Sequence, residues 1–484
     1  MVSSSSFGTA ARPLVSGKYA IASHFSAFAR SAMSTTSRRL DRTSAAPWGR
    51  TCSIVQSMSS GEPADPRKQL RDESGTDEAT RTQALDVRSS LGTCLIRRMK
   101  HQTALSEAAN PGMARRRLAV FAPSMAEGGA ERGALKLAEG LAHRGYDVDL
   151  VLASAEGPRM AEIPAEVRLV DLGARRVLSS LPGLVRYLRR EKPDALASVL
   201  DHANVVALWA RKLGRYPGRV VVIEQNTLSE AARNGKSRRD RMMPRMVSRF
   251  YPWADYVVGV SAGVTEDLVE LTSLRPEKVR VIFNPIVTAD IAEKARAPVD
   301  HAWFGDGSSV FVAAGRLRPQ KDFPTLLHAF AQVRAKRPAR LLVLGEGPER
   351  ARLEGLVHDL GISEDVSLHG STSNPYAYMA RATAFVLSSR WEGLPTVLIE
   401  ALSCGVPVIA TDCPSGPREI LADGQYGRLV PVGDADGLAV AMEAALDGEL
   451  LRPPPESWRP YALDAVVDEY LPLLVGSPSD SRRS

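Results

Sequence analysis

Two acids and two cations in this sequence have the types and spacing to do chemistry. Glu392 and Glu400 stand in RWEGLPTVLIEA, and Arg316 and Lys321 stand in GRLRPQKD. Carboxylates accept hydrogen bonds from hydroxyls. The Arg fork matches phosphate oxygens, and Lys supplies a compact point charge. Such a pair of cations would hold a diphosphate and stabilise it as it leaves. Taken one loop at a time, the same residues read equally well as solvated surface charges.

The elements that must position them are legible. Residues 384–387 form an apolar run of strand type, and a short polar loop follows. A helix then opens at Pro395, the favoured type for a first helical position, and stops before Gly405, a usual C-terminal cap. A second apolar run covers 407–410. Strand, helix, strand is the unit of a parallel α/β sheet. On a helical wheel Val397, Leu398, Ala401 and Leu402 make the buried stripe, with Glu400 on the other side beside Thr396 and Ser403. Both acids fall near the C-terminal edge of a sheet, where open α/β folds bind ligands. The helix start between them offers unpaired N–H groups to an anion. Hydroxyl acceptors around a phosphate-sized site suit a nucleotide sugar.

The whole chain of 484 residues is too long for one core. Its 44% hydrophobic and 24% charged content is ordinary for a globular protein. No apolar run approaches the roughly 18 residues that a membrane span needs. The four cysteines (Cys52, Cys94, Cys404, Cys413) have no metal spacing, which points to a reducing compartment. The net charge of +7 suggests nucleic acid until it is located. Residues 1–112 carry 15 of the 62 Lys and Arg and 9 of the 55 Asp and Glu, so +6 of the charge lies there. The body of the chain is nearly neutral, and no nucleic-acid partner is expected.

Residues 1–112 are rich in Ser, Ala, Thr and Arg without periodicity, and are expected to be a disordered N-terminal extension. They read either as a transit-like segment or as translation assigned from too early a start, since Met113 opens MARRRLAVFAPS as a domain would begin. From there strand-like runs recur at 118–122, 148–153, 167–172, 195–200, 220–223, 256–260 and 279–283, with helical stretches such as 131–144 and 262–271 between them. After a pause, runs return at 310–314, 341–344, 366–369, 384–387, 406–410 and 428–430. The alternation predicts an α/β chain with two Rossmann-like, doubly wound parallel-sheet domains, at 113–295 and 301–455, facing a cleft. A terminal helix is expected within 456–475.

Other constellations accompany that frame. Gly128 and Gly129 follow the first strand and open a helix, so a ligand can approach the backbone closely. The spacing is not G-x-G-x-x-G, which argues against a dinucleotide-dependent oxidoreductase. Gly345-Glu346-Gly347-Pro348 reads as a base or ribose contact or as a tight turn. Asp147-Val148-Asp149 is lexically a metal-binding pair but enters a strand, and is expected to be structural. Ser261, Ser388 and Ser389 lack a partner base, so hydrolase chemistry is not expected. His202 follows a strand at the cleft edge and is a candidate contact. Two basic stretches, 177–190 and 233–249, have the composition of segments that lie on anionic membranes, with Pro182 interrupting the first.

GGAER after the first strand, GRLRPQKD opening the second domain, LGEGP, and SSRWEGLPTVLIEA together resemble the retaining glycosyltransferases of family four, over about residues 117–475. The resemblance implies the GT-B architecture and a nucleotide-sugar donor. It also implies no metal and no cofactor, and a terminal helix that crosses back to the first domain. Glu392 would contact donor-sugar hydroxyls and Glu400 the ribose. Arg316 and Lys321 would bind the diphosphate, with Gly129 near it. The backbone at Gly393, Leu394, Pro395, Thr396 and Val397 would contact the sugar and its phosphate. Glu392, Arg316 and Lys321 are the implied catalytic set. One departure stands out: many members carry His where this chain has Gln225, which cannot share a proton. Gln225 and His202 remain the candidates for acceptor or sugar contact. The expected acceptor is lipid-linked or saccharide, in cell-envelope polysaccharide, lipopolysaccharide or glycolipid synthesis. The expected place is the cytoplasm, peripheral at the inner face of the plasma membrane. The rival is an inactive sugar-nucleotide-binding or membrane scaffold, against which the four intact charged residues argue.

Overall fold

A computed structural model of the chain describes residues 116–476 except 127, 235–237 and 273, and of Arg238 and Asp240 only the backbone. The extension 1–112, Met113, Glu127, Lys236, Cys52 and Cys94 lie outside the described residues.

Two parallel sheets form the frame. The first runs β3-β2-β1-β4-β5-β6-β7 from β1 (Arg117–Ala122), β2 (Asp147–Leu152), β3 (Val167–Asp171), β4 (Ala195–Val199), β5 (Arg219–Glu224), β6 (Tyr256–Gly259) and β7 (Val279–Val281). The second runs β10-β9-β8-β11-β12-β13 from β8 (Val310–Ala314), β9 (Arg340–Leu344), β10 (Val366–Gly370), β11 (Ala384–Leu387), β12 (Val408–Thr411) and β13 (Arg428–Val430). Their central strands are apolar runs because helices cover both faces. Strand order reverses between β1 and β4 in one sheet and between β8 and β11 in the other. Each reversal opens a crevice beyond the strand ends, because successive connections leave it in opposite directions.

The first sheet carries α1 (Gly129–His143), α2 (Leu181–Glu191), α3 (Asp201–Gly214), α4 (Leu228–Asn234), α5 (Arg238–Phe250) and α6 (Ala262–Leu271). After α7 (Ile291–Arg296), the second carries α8 (Phe323–Lys336), α9 (Arg350–Asp359), α10 (Pro375–Met379), α11 (Thr396–Ser403), α12 (Pro417–Ile420) and α13 (Ala435–Leu446). The last helix, α14 (Leu463–Val475), packs back on α1. A Cβ on Gly140 of α1 would meet the Val467 and Leu463 side chains at 2.5 and 2.8 Å, so any larger residue would have to push α14 side chains aside. Arg144 pairs with Asp464 and Asp468, and Leu463 N–H donates to Val287 O at 2.9 Å.

Several sequence expectations change. Pro395 is the extended residue before α11 rather than its first helical residue. Leu398, Ala401 and Leu402 are buried as expected, but Glu400 and Ile399 are buried too and Val397 only half-buried, so the buried face is wider than the expected stripe. Its assumption was one solvated face, but α11 is covered on its far side by α1 and α10. As expected, 177–190 is not one helix: a 3-10 turn over Val177–Ser180 comes first, and Pro182 stands in the first turn of α2. Asp149 has no vacancy for a metal. It takes two bonds from Arg168, at 2.7 and 2.6 Å, and one from Tyr187 at 2.5 Å. Among the described residues no helix is long and apolar enough to cross a membrane.

Candidate functional site

The second sheet builds a charged half-site from its two loops at the strand reversal. The loop after β8 ends in Gln320, Lys321 and Asp322, and the loop after β11 runs through Ser388–Glu392. Hydrogen bonds and an ion pair lace them together. Gln320 Nε2 donates to Trp391 O at 2.9 Å, and Arg390 N–H to Gln320 O at 2.8 Å. Ser388 Oγ donates to Lys321 O at 2.7 Å. Arg390 pairs with buried Asp322, Nε to Oδ2 3.0 Å. Asp322 takes the left-handed conformation (φ 46°) to cap α8, and Thr325 donates to its carboxylate at 2.8 Å.

That lacing delivers Lys321 to Glu392. Lys321 Nζ lies 2.6 Å from Glu392 Oε1, and Ser389 Oγ donates to the same oxygen at 2.6 Å. Glu392 is 7% exposed, so its charge needs these partners. Arg316 is exposed, and among the described residues its side chain makes no ion pair or hydrogen bond. Arg318 of the same loop is likewise exposed, and among the described residues its side chain has no such partner either. The neighbouring LGEGP loop is packed close beneath. Leu317 N–H donates to Glu346 O at 2.9 Å, and a Cβ on Gly347 would strike Leu317 backbone. Glu346 pairs with Arg350 at 2.8 Å.

The first sheet brings its own edge against this half. A Cβ on Gly129 would stand 3.1 Å from Thr396 Cγ2, so the glycine start of α1 faces the start of α11. No side chain caps either helix start, which leaves first-turn N–H groups available to an anion. A Cβ on Gly393 would collide with Gln225 O, so glycine alone lets the 392–395 loop pass under β5. Thr227 Oγ1 reaches Glu392 O at 3.5 Å. On the far side Ser415 Oγ donates to Gly393 O at 2.8 Å and bonds Ser261 Oγ at 2.7 Å. Leu394 is buried in the same seam.

Gln225 therefore contributes its carbonyl rather than its side chain. The side-chain amide is locked against Asn284: Nε2 to Oδ1 is 3.1 Å, and Asn284 Nδ2 to Oε1 is 2.7 Å. Asn284 in turn lies where a Cβ on Gly133 would touch its Oδ1 at 2.8 Å. His202 opens α3, with Nδ1 2.6 Å from Asp201 Oδ1. Burial works against charge on Asp201, yet the bond from His202 prevails and holds it below its ordinary value. Behind them, Glu224 is fully buried. Burial first, then the nearby Asp201 charge, pushes it up to about 8. Tyr251 OH donates to it at 2.7 Å, and Gln225 N–H at 2.9 Å.

Sequence reasoning missed Arg132 and Tyr376. Arg132 Nη1 pairs with Glu400, and Nη2 bonds the Tyr376 hydroxyl. The signal was present, because Arg132 lies one helical turn after Gly129 and so shares its face. Ser389, Asp322 and Arg390 were missed as well: Asp322 and Arg390 pair across two loops, and Ser389 acts through Glu392 three residues on. Among the described residues no group of three or more His, Cys, Asp or Glu is arranged for a metal ion. Cys404, pushed up to about 12 by burial, and Cys413, raised further by burial, are inert thiols.

Two facing Rossmann-like sheets, with cations, carboxylates and two helix starts at opposed strand reversals, define the GT-B class of glycosyltransferases. The comparisons with known proteins agree. Residues 127–290 match the family model "Glycosyltransferase Family 4" and residues 302–464 match "Glycosyl transferases group 1". The chain is 30% identical over 347 residues, 69% of its length and 92% of the relative's, to a Campylobacter jejuni N-acetylgalactosamine-N,N'-diacetylbacillosaminyl-diphospho-undecaprenol 4-alpha-N-acetylgalactosaminyltransferase. It is 29% identical over 369 residues, 73% of its length and 97% of the relative's, to the lipopolysaccharide core biosynthesis glycosyltransferase LpsE of Rhizobium meliloti. Its fold is similar to that of Anabaena HepE in complex with UDP-glucose, with a TM-score of 0.56 at 19% identity, covering 76% of this chain and 98% of that one. The chain belongs to glycosyltransferase family 4.

Proposed function

We propose that this enzyme transfers a sugar from a nucleotide-sugar donor to an acceptor hydroxyl and keeps the anomeric configuration. The observation that carries the proposal is the Lys321–Glu392 pair at 2.6 Å, set beside exposed Arg316 and beneath the facing starts of α1 and α11. The nucleotide diphosphate would lie against Arg316, Lys321 and the N–H groups of Gly129, Gly393, Leu394, Thr396 and Val397. Lys321 would exchange its bond to Glu392 for the diphosphate, freeing Glu392 to accept from sugar hydroxyls. Glu400 would accept from the ribose.

In the proposed step the acceptor oxygen bonds to the anomeric carbon on the face the nucleotide leaves. The bond from that carbon to the diphosphate oxygen breaks with its electron pair on the diphosphate. The hydroxyl proton passes to the same diphosphate, which Arg316 and Lys321 stabilise. No cofactor and no metal enter this scheme.

The acceptor we propose is lipid-linked or a growing saccharide of the cell envelope. The names of the Campylobacter and Rhizobium relatives support that class. A peripheral place at the inner face of the plasma membrane fits the basic faces of α2 (Arg186, Arg189, Arg190) and α5 (Arg241, Arg245, Arg249), near exposed Leu178 and Met242. His202 on its Asp201 support is the acceptor-side candidate.

A thermal-shift screen of the full chain against UDP-, GDP- and ADP-sugars tests the reading. One donor class should raise the melting temperature, and proton NMR of the product should show the donor's anomeric configuration. Inverted product, or activity lost to EDTA and restored only by a divalent ion, would overturn the mechanism.

A further inference from the structure

Arg132 is placed unusually for a residue on a helix of the first domain. Its two bonds both end on the second domain, on Glu400 of α11 and Tyr376 of α10. The guanidinium carbon also lies 5.7 Å from the centre of the Tyr376 ring. Side-chain exposure is 13% for Arg132 and 5% for Glu400, so this ion pair is largely desolvated. A planar fork with two partners fixed on different helices has one geometry, and only a closed cleft supplies it.

The same carboxylate is the one assigned above to the ribose. An arginine and a ribose hydroxyl both donate to it, and both must approach from the cleft, because the other sides of α11 are packed against its own sheet. We propose that Arg132 is a positioning residue that latches the two domains together before the donor arrives and competes with the nucleotide for Glu400. Donor entry breaks the latch. The opened cleft rehydrates the guanidinium, so no buried charge is left unpaired. Closure over the donor then proceeds with Glu400 held by the ribose. The proposal rests on the nucleotide reading of Glu400.

The latch explains why the site shows its charges already neutralised in pairs. Lys321 is held by Glu392 and Arg132 by Glu400, leaving exposed cations of the loop after β8, Arg316 among them, to meet a diphosphate first. It also accounts for an Arg rather than a Lys at this position. A lysine would hold Glu400 but could not reach Tyr376 from the same geometry.

Two measurements test it, one with nucleotide and one without. Calorimetry with UDP, GDP and ADP on the full chain should show Arg132→Gln binding the preferred nucleotide about tenfold more tightly than wild type, with KM falling and kcat not rising. Arg132→Lys should lie between the two. Weaker or unchanged binding in Arg132→Gln overturns the competition, whereas unchanged binding in Glu400→Gln removes the nucleotide reading of Glu400 instead. Small-angle scattering of the nucleotide-free chain is independent of that reading. Arg132→Gln should have a larger radius of gyration than wild type, and Tyr376→Phe a smaller increase. Equal radii overturn the latch whatever the nucleotide does, and a change in melting temperature alone would mark a merely structural residue.

Discussion

The two edges that meet at the cleft are built differently. On the second sheet, Arg316, Lys321, Ser389 and Glu392 come from two loops that follow neighbouring strands. Their charges face one another, and solvent reaches the site at Arg316. On the first sheet, Asp201, His202, Glu224, Gln225, Tyr251 and Asn284 come from four separate segments, and most are buried and hydrogen-bonded to each other. One edge holds charge ready for an anion. The other spends its polar groups on holding the backbone, above all the Gln225 carbonyl that fits over Gly393. On the proposed reading, a donor diphosphate would meet the compact, local half, and the acceptor would meet the half whose groups are already committed to one another.

The contrast predicts graded losses. The largest should follow Lys321→Ala, which removes the cation from both Glu392 and the proposed diphosphate. We expect kcat/KM to fall by about 100-fold or more, with nucleotide affinity reduced in calorimetry. Affinity and rate at wild-type levels would place the charged chemistry elsewhere.

Next comes Asn284→Ala, which strands the buried Gln225 amide. It should cost about 1–3 kcal/mol in denaturant unfolding and impair turnover only through stability. A large loss of kcat with full stability would instead give Gln225 a direct role in the reaction.

The smallest effect concerns pH. Glu224 is raised to about 8 and Glu419 to about 7, each chiefly by burial, and Glu419 accepts from Ala262 N–H at 3.0 Å across the seam. An acid whose pKa is higher folded than unfolded stabilises the fold when protonated. That contribution is complete below the unfolded value near 4.5 and is lost as pH rises through the folded one. The melting temperature should therefore decline by a few degrees between about pH 5 and pH 8.5, and Glu224→Gln should flatten the decline. A decline of equal steepness in the variant would remove Glu224 as its source.

Much of this was legible in the chain. All thirteen strands fall where the apolar runs put them, because strands covered on both faces must be continuous apolar runs and helices between them make such strands parallel. The motif loops follow from the same order. Glu400 was misjudged because a helical wheel assumes one wet face, and nothing local in TVLIEALS announces a second domain above it. Gln225 invited a chemical role by its position, while its side chain was already committed to Asn284, 59 residues on.

The two sheets and the chemical types gathered at their edges follow from local sequence, since burial periodicity and turn residues act over a few neighbours. Which of those groups pair with which is a product of the packed domains. Lys321 meets Glu392 across 71 residues and Arg132 meets Glu400 across 268. Any of the chain's many acids would have satisfied those cations equally well in the abstract. The choice is made by which loops two packed domains bring within about 3 Å, the range in which a hydrogen-bonded ion pair forms.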